Sequence, residues 1–303
     1  MTGKNGRKLS NNTIAVIAAI VANTIWGVSF MATKIAISHT SAHMLLSMRF
    51  LFSFLLILLI ALPHIGSMQL KGKPVLLFVL MGLCEPVIYF FAETNGIKYT
   101  TSSFSGLIIS VIPVVTALLS ALILREHLTL KRFFWIVCSV AGVVIISLNN
   151  SNDGVITLKG VLFLLGAVLS ASFFSILSRS ISGSFSALER TFIMMLMGCI
   201  VFTGNALIKE KSGYGAALIS ALSDKYVLLP VLFLSVFCSV GAFFCLNYAM
   251  SYLAVNQAVI FTNIVPIVSV IAGVLVLGEP FSPSALIGIV LILVGVYMVN
   301  KVE

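Results

Sequence analysis

Residues 90–147, FFAETNGIKYTTSSFSGLIISVIPVVTALLSALILREHLTLKRFFWIVCSVAGVVIIS, recur as residues 243–300, FFCLNYAMSYLAVNQAVIFTNIVPIVSVIAGVLVLGEPFSPSALIGIVLILVGVYMVN. A single ungapped shift of 153 positions places Tyr99 on Tyr252, Pro113 on Pro266, Glu126 on Glu279 and Gly142 on Gly295. Only 12 of the 58 positions are identical, and apolar bias inflates even that. A Tyr, a Pro, a Glu and a Gly in one register are harder to obtain from composition, so the chain is read as an internal duplication. The halves are residues 1–150 and 151–303.

The solvent of these halves is lipid. Hydrophobic residues make up 60% of the chain, charged residues 9%, and the mean hydropathy is +1.16. An ordinary soluble domain carries about 25% charge. Uncharged runs such as Ile14–Thr33, Tyr99–Leu124, Gly160–Ser178 and Thr191–Ile208 are long enough for membrane helices, which need about 20 apolar residues. The alternating ten-residue pattern of a membrane barrel is absent. The expected fold is therefore an all-α polytopic membrane protein. The net charge of +9 does not imply nucleic acid, because the basic residues fall mostly between spans, where they set orientation.

Ten spans fit, at roughly 14–34, 43–63, 74–96, 102–124, 131–149, 157–178, 188–208, 226–250, 254–277 and 283–300. The run Tyr226–Gly278 has 53 residues without a charge. A helix of that length would reach about 80 Å, against a hydrocarbon core of about 30 Å. It must turn back, and the repeat puts the turn at Ser251–Ala254, the partner of Lys98–Thr101. Five spans per half is odd, so the halves are expected to be inverted with respect to each other, an arrangement typical of secondary transporters. With the N-terminus inside, eleven Lys and Arg fall on the cytoplasmic side, Arg179 and Arg190 among them, against six outside. That bias predicts two cytoplasmic termini in a cell inner membrane.

No nucleotide-binding, zinc-protease or serine-hydrolase motif is present. The histidines (39, 43, 64, 127) are scattered near span ends, and the five cysteines lie singly inside spans, so neither a metal, a cofactor nor a disulfide framework is expected. An intramembrane enzyme would need a nucleophile or metal cluster that the sequence does not offer. A sensor would need an output domain, and even the loop Lys209–Lys225 has no room for one.

Trp26-Gly27, Lys34, Arg49 and Ser178-Arg179, with the paired signatures Glu126-His-Leu-Thr129 and Glu279-Pro-Phe-Ser282, resemble the EamA-type transporters of the drug/metabolite transporter superfamily. The resemblance covers essentially the whole chain. It implies export or exchange of small organic metabolites or amino acids by alternating access, with a cavity lined mainly by helices 1, 3, 4, 6, 8 and 9.

The candidate substrate-binding residues follow from polar groups placed in apolar helices. Glu85, Tyr89 and Glu93 are four apart on the third span, and on a continuous helix they would form one stripe about 12 Å long. Carboxylates inside a membrane are costly and usually functional. They would bind a substrate ammonium or carry a proton; the structural alternative is a buried ion pair with Lys34 or Arg49. Asn23 and Trp26 offer an amide beside an aromatic wall, and Ser110, Asn247 and Asn263 are further buried polar groups in need of partners. Pro113 and Pro266, at the middle of their spans, are either static kinks or gating hinges. Glu126 and Glu279 look like scaffold beside helix starts. Gly288 and Gly295 suit either internal packing or a homodimer face. The expected partner is a small molecule, an amino acid or an amine, in the lipid bilayer. The competing cargo is a lipid-linked or sugar-phosphate anion held by Lys34, Arg49 and Arg179.

Overall fold

The computed structural model describes residues 11–67, 72–124, 129–131, 134–135, 137–138, 141–142, 145, 156–253, 260–279 and 283–301. Among them every regular element is helical. Seven helices are long and apolar enough to cross a membrane, and two shorter apolar helices, Phe261–Leu277 and Leu286–Gly295, stand where the ninth and tenth spans are expected. The expected fifth span, 131–149, lies largely outside the described residues, as do Glu126, Asn256, Gln257 and Ser282.

In chain order the helices are α1 (Asn11–His39), α2 (Ala42–Ala61), α3 (Val75–Gly82), α4 (Tyr89–Lys98), α5 (Ser102–Ile109) and α6 (Ile112–Leu124). The second half supplies α7 (Leu158–Ser180), α8 (Ala187–Glu210), α9 (Tyr214–Ser223), α10 (Lys225–Phe233), α11 (Phe243–Tyr252), α12 (Ile264–Leu277) and α13 (Pro283–Lys301). The long uncharged run is interrupted where the repeat puts the turn: α11 ends at Tyr252, Leu253 takes extended geometry with φ −101° and ψ 148°, and the next described helical turn begins at Ile260. The segment after α8 differs from the plain loop expected. Lys211 takes a positive φ of 51°, which ends α8 and redirects the chain into α9.

The halves interlock reciprocally. The first helix of the first half, α1, packs on α10, α11 and α12; the first helix of the second half, α7, packs on α3, α4, α5 and α6. Helices α2 and α8, second in their halves, pack on each other. Close approach uses small residues. A Cβ on Gly142 would lie 2.6 Å from the Gly288 carbonyl oxygen and 3.0 Å from the Ile292 nitrogen. Gly288 therefore packs inside the molecule, against the fifth span. Gly142→Val is expected to lower stability by about 1–3 kcal/mol, the usual cost of overpacking, read as an earlier thermal midpoint in detergent.

Two interruptions shape the interior. In the third span, α3 and α4 are joined by a wide π-helical segment, Leu83–Ile88. Within it Glu85 leaves the helical region altogether, with φ −140° and ψ 115°. The cause is local: Pro86 sterically pushes the preceding residue toward extended geometry and offers no N–H of its own. The repeat mate of this segment, inside Leu234–Ala242, is also π-helical but unbroken. Such wide turns concentrate at functional sites. The second interruption precedes each span proline. Pro113 is the second residue of α6, and Pro266 the third of α12 after the tight turn Ile260–Asn263. Both prolines thus occupy a first helical turn, where the missing N–H costs nothing, rather than the middle of a continuous helix.

Candidate substrate cavity

A cavity of about 60 Å³ lies between the halves. Its wall comes from six spans: Asn23, Trp26, Ser29 and Phe30 of the first; Glu85, Tyr89, Phe90 and Glu93 of the third; Ile109 and Ile112 of the fourth; Ala171, Phe174 and Ser175 of the sixth; Leu246 and Met250 of the eighth; Thr262 and Val265 of the ninth. These are the helices that the resemblance implies. The reciprocal packing makes this possible, because each half contributes its first, third and fourth spans to the same interface.

Five of the eight proposed substrate-binding residues meet here: Asn23, Trp26, Glu85, Tyr89 and Glu93. Tyr89 and Glu93 do so by helical spacing on α4. Glu85 does not continue their stripe; it reaches the cavity through the break in its helix. Glu93 is 2% exposed, and its Oε1 accepts from the Tyr89 hydroxyl at 3.4 Å while Oε2 has no partner. Glu85 is likewise buried and lines the same space. Neither acid stands in an ion pair among those residues. Asn23 donates through Nδ2 to the Ala19 carbonyl at 2.7 Å and leaves Oδ1 unpartnered. Trp26 donates through Nε1 to the Cys238 carbonyl at 3.1 Å and sets its ring edge-to-face on Phe243.

The other three lie off the wall. Ser110 ends α5 and donates to the Leu107 carbonyl at 2.6 Å. Asn263 stands just before α12, with Oδ1 buried and unpartnered, next to the lining residue Thr262. Asn247 is buried in a separate polar network, accepting from Ser178 at 3.1 Å and donating to Thr191 at 3.1 Å.

That network centres on Arg190. Counted from sequence among the cytoplasmic charges, it is instead fully buried in α8. One guanidinium nitrogen donates to the Ser178 carbonyl and hydroxyl at 3.1 and 2.8 Å. The other donates to the Asn247 carbonyl and Ser251 hydroxyl, each at 2.6 Å. It thereby ties the end of α7 to the end of α11, next to the lining residues Ser175 and Met250.

Two further cations, Lys34 and Arg179, bind backbone rather than the cavity. Lys34 donates to the carbonyls of Ile97, at 2.9 Å, and Thr100. Arg179 donates to the Met250 carbonyl at 2.8 Å. Ile97 and Met250 are repeat mates, so each half closes the end of its third span with a basic residue from the end of its first, as suits a helix C-terminus. Arg49, 2% exposed, donates to the Ser239 hydroxyl at 2.8 Å and lies over the Phe90 ring at 4.1 Å, behind the cavity wall. Glu279 accepts from the backbone N–H groups of Ser102 and Ser103 at 2.7 and 2.9 Å. It caps α5 across the boundary between halves, the scaffold role its position suggests.

No group of three His, Cys, Asp or Glu among the described residues is placed to hold a metal. His39 and His43 pair separately with Asp224 at 2.7 Å and Glu210 at 2.6 Å. The Tyr226 backbone N–H, together with His39, holds the Asp224 carboxyl below the usual carboxylate range. Cavity residues that sequence reasoning missed include Ser29 and Ser175. Both hydroxyls bond their own helix, to Trp26 at 2.7 Å and Ala171 at 2.9 Å. The four-residue spacing of Ala171 and Ser175 was the available signal.

The chain is similar to known proteins over most of its length. The model of the EamA-like transporter family matches twice, over residues 13–148 and 158–301. "Uncharacterized transporter YcxC" of Bacillus subtilis is 30% identical over 286 residues, 94% of this chain and 92% of that one. "Probable amino-acid metabolite efflux pump" of Salmonella typhimurium is 22% identical over 284 residues, 92% of each chain. A protein of known crystal structure, described as "Crystal structure of protein", shares the fold at TM-score 0.62 and 18% identity, over 94% of this chain and 96% of that one. With two family matches spanning both halves, the chain belongs to the EamA-like transporter family, a multi-pass membrane transporter of the drug/metabolite transporter superfamily.

Proposed function

We propose that the chain is a secondary transporter of ten spans in two inverted five-helix halves, residues 1–150 and 151–303, that exports or exchanges an amino acid or amine-bearing metabolite. Alternating access would expose the cavity between the halves to one face and then the other, with Pro113 and Pro266 as hinges. The observation that carries this reading is the cavity itself, set between halves that interlock through equivalent helices and holding two carboxylates that stand in no ion pair among the described residues. The name of the Salmonella relative supports efflux of amino-acid metabolites. A phosphate-bearing cargo finds less support, because none of Lys34, Arg49 and Arg179 lines the cavity wall.

Uptake of a metabolite mixture into proteoliposomes, with and without a pH gradient, tests the proposal. Accumulation of an amine or amino acid supports it, and no accumulation under either condition refutes it. The proposal also puts both termini in the cytoplasm of a cell with this protein in its inner membrane. A C-terminal reporter that fluoresces only inside the cell is expected to be active; activity only from a reporter that works outside would reverse the orientation.

A further inference from the structure

We infer that the cavity is built for an organic ammonium ion that lacks a carboxylate, and that it discriminates against the zwitterionic amino acid of the same side chain. The inference deepens the transport reading and rests on it. Its basis is the inventory of donors and acceptors on the wall. Among the described residues, the wall oxygens buried without a hydrogen-bond partner are acceptors, Oε2 of Glu93 and Oδ1 of Asn23, and the buried carboxylate of Glu85 lines the same space. The Asn23 amide is oriented by its own bond, since the Ala19 carbonyl takes only a donor.

The hydrogen-bond donors on the wall itself are already engaged. The Tyr89 hydroxyl donates to Glu93, and the Trp26 indole N–H to Cys238. The hydroxyls of Ser29 and Ser175 donate to carbonyls of their own helices. No Lys, Arg or His lines the wall. Off the wall, over the Phe90 ring, the buried Arg49 guanidinium keeps one nitrogen unpartnered and sets one positive charge against the two carboxylates, which leaves one negative charge for a ligand to meet.

A ligand that completes this wall must therefore bring N–H donors and positive charge. An ammonium group does both, with three donors, and the rings of Trp26 and Phe90 add cation–π attraction. A carboxylate brings the opposite: acceptors facing acceptors, and a negative charge beside two carboxyl groups. Like charges set together in a desolvated site cost several kcal/mol. At about 60 Å³ the cavity admits the ammonium head; an apolar body of any length requires the wall to widen.

The test uses matched pairs that differ only in the carboxylate: isobutylamine against valine, and 2-phenylethylamine against phenylalanine. The chain has two tryptophans, so Trp135→Phe leaves Trp26 as a fluorescent reporter on the cavity wall. Both amines are expected to perturb Trp26 and to bind at least about tenfold more tightly than their amino acids, with the preference lost in Glu85→Gln/Glu93→Gln. Amino acids that bind as tightly as the amines, amines that leave Trp26 unchanged, or a preference that survives the double substitution would each overturn the inference. Counterflow of the same pairs in proteoliposomes, corrected for protein-free liposomes, separates this from the transport reading. Amines bound but not moved would sink transport while leaving the cation site standing. Amino acids moved in preference to amines would leave transport standing and sink the cation site.

Discussion

Glu93→Gln is expected to abolish transport and at the same time make the protein more stable. The carboxylate is buried, its Oε2 has no partner, and no cation among the described residues lies in an ion pair with it. Holding such a group inside a helix bundle costs free energy that an amide of the same shape largely avoids. The amide also keeps an oxygen for the Tyr89 hydroxyl. Stability should rise by about 0.5–2 kcal/mol, the common size of a stabilising substitution that costs function. Transport should fall by at least about 30-fold, since removing one partner of a desolvated charge contact costs about 2–5 kcal/mol. The opposite signs make the experiment decisive. Thermal unfolding in detergent reads the first, counterflow the second. A lower midpoint with transport retained would mean that Glu93 is structural.

Arg190→Ala is expected to be the most destabilising single change outside the cavity, by about 2–4 kcal/mol. Hydrogen bonds to a charged donor are worth about 1.5–3 kcal/mol each, and four of them converge on this side chain. The sum is reduced because alanine also removes a buried charge that has no carboxylate partner. Arg190→Lys should recover only part of the loss, because an ammonium is a point donor and does not span the ends of α7 and α11 as a planar fork does. Thermal midpoints of both variants check this. If lysine restored full stability, the bridging geometry would be irrelevant and charge alone would matter.

What could be read from sequence, and what could not, divides along the range of the interaction. The duplication is a pattern in the chain itself, and it located the turn after Tyr252, which hydropathy cannot see in an uncharged run. Glu85 and Glu93 were legible because a carboxylate in an apolar helix has few inexpensive explanations. The helix break at Glu85 was also written in the chain, in the Glu-Pro dipeptide, but spacing arguments that assume an unbroken helix pass over it. Arg190 was not legible. Its position near a span end looks like an ordinary cytoplasmic charge, and its partners Asn247 and Ser251 lie on another helix. Asn23 and Asn247 are the same residue type in similar apolar settings. Only the neighbours decide that one opens an oxygen to the cavity while the other is tied into the network with Ser178 and Thr191. Lys34, one of the two ion-pair partners weighed for the third-span acids, binds carbonyls at the end of α4 instead, because unpaired helix-end carbonyls nearby need donors.

The central claim is that one cavity between the two halves opens alternately to the two faces of the membrane. The direct measurement places a single thiol on its wall, Ser175→Cys, in a chain whose five native cysteines have been replaced. A membrane-impermeant thiol reagent is then applied from either side of oriented vesicles. Labelling from both sides, slowed from both by a transported substrate, is the expected result. Labelling from one side only, or labelling that substrate does not slow, would contradict the account.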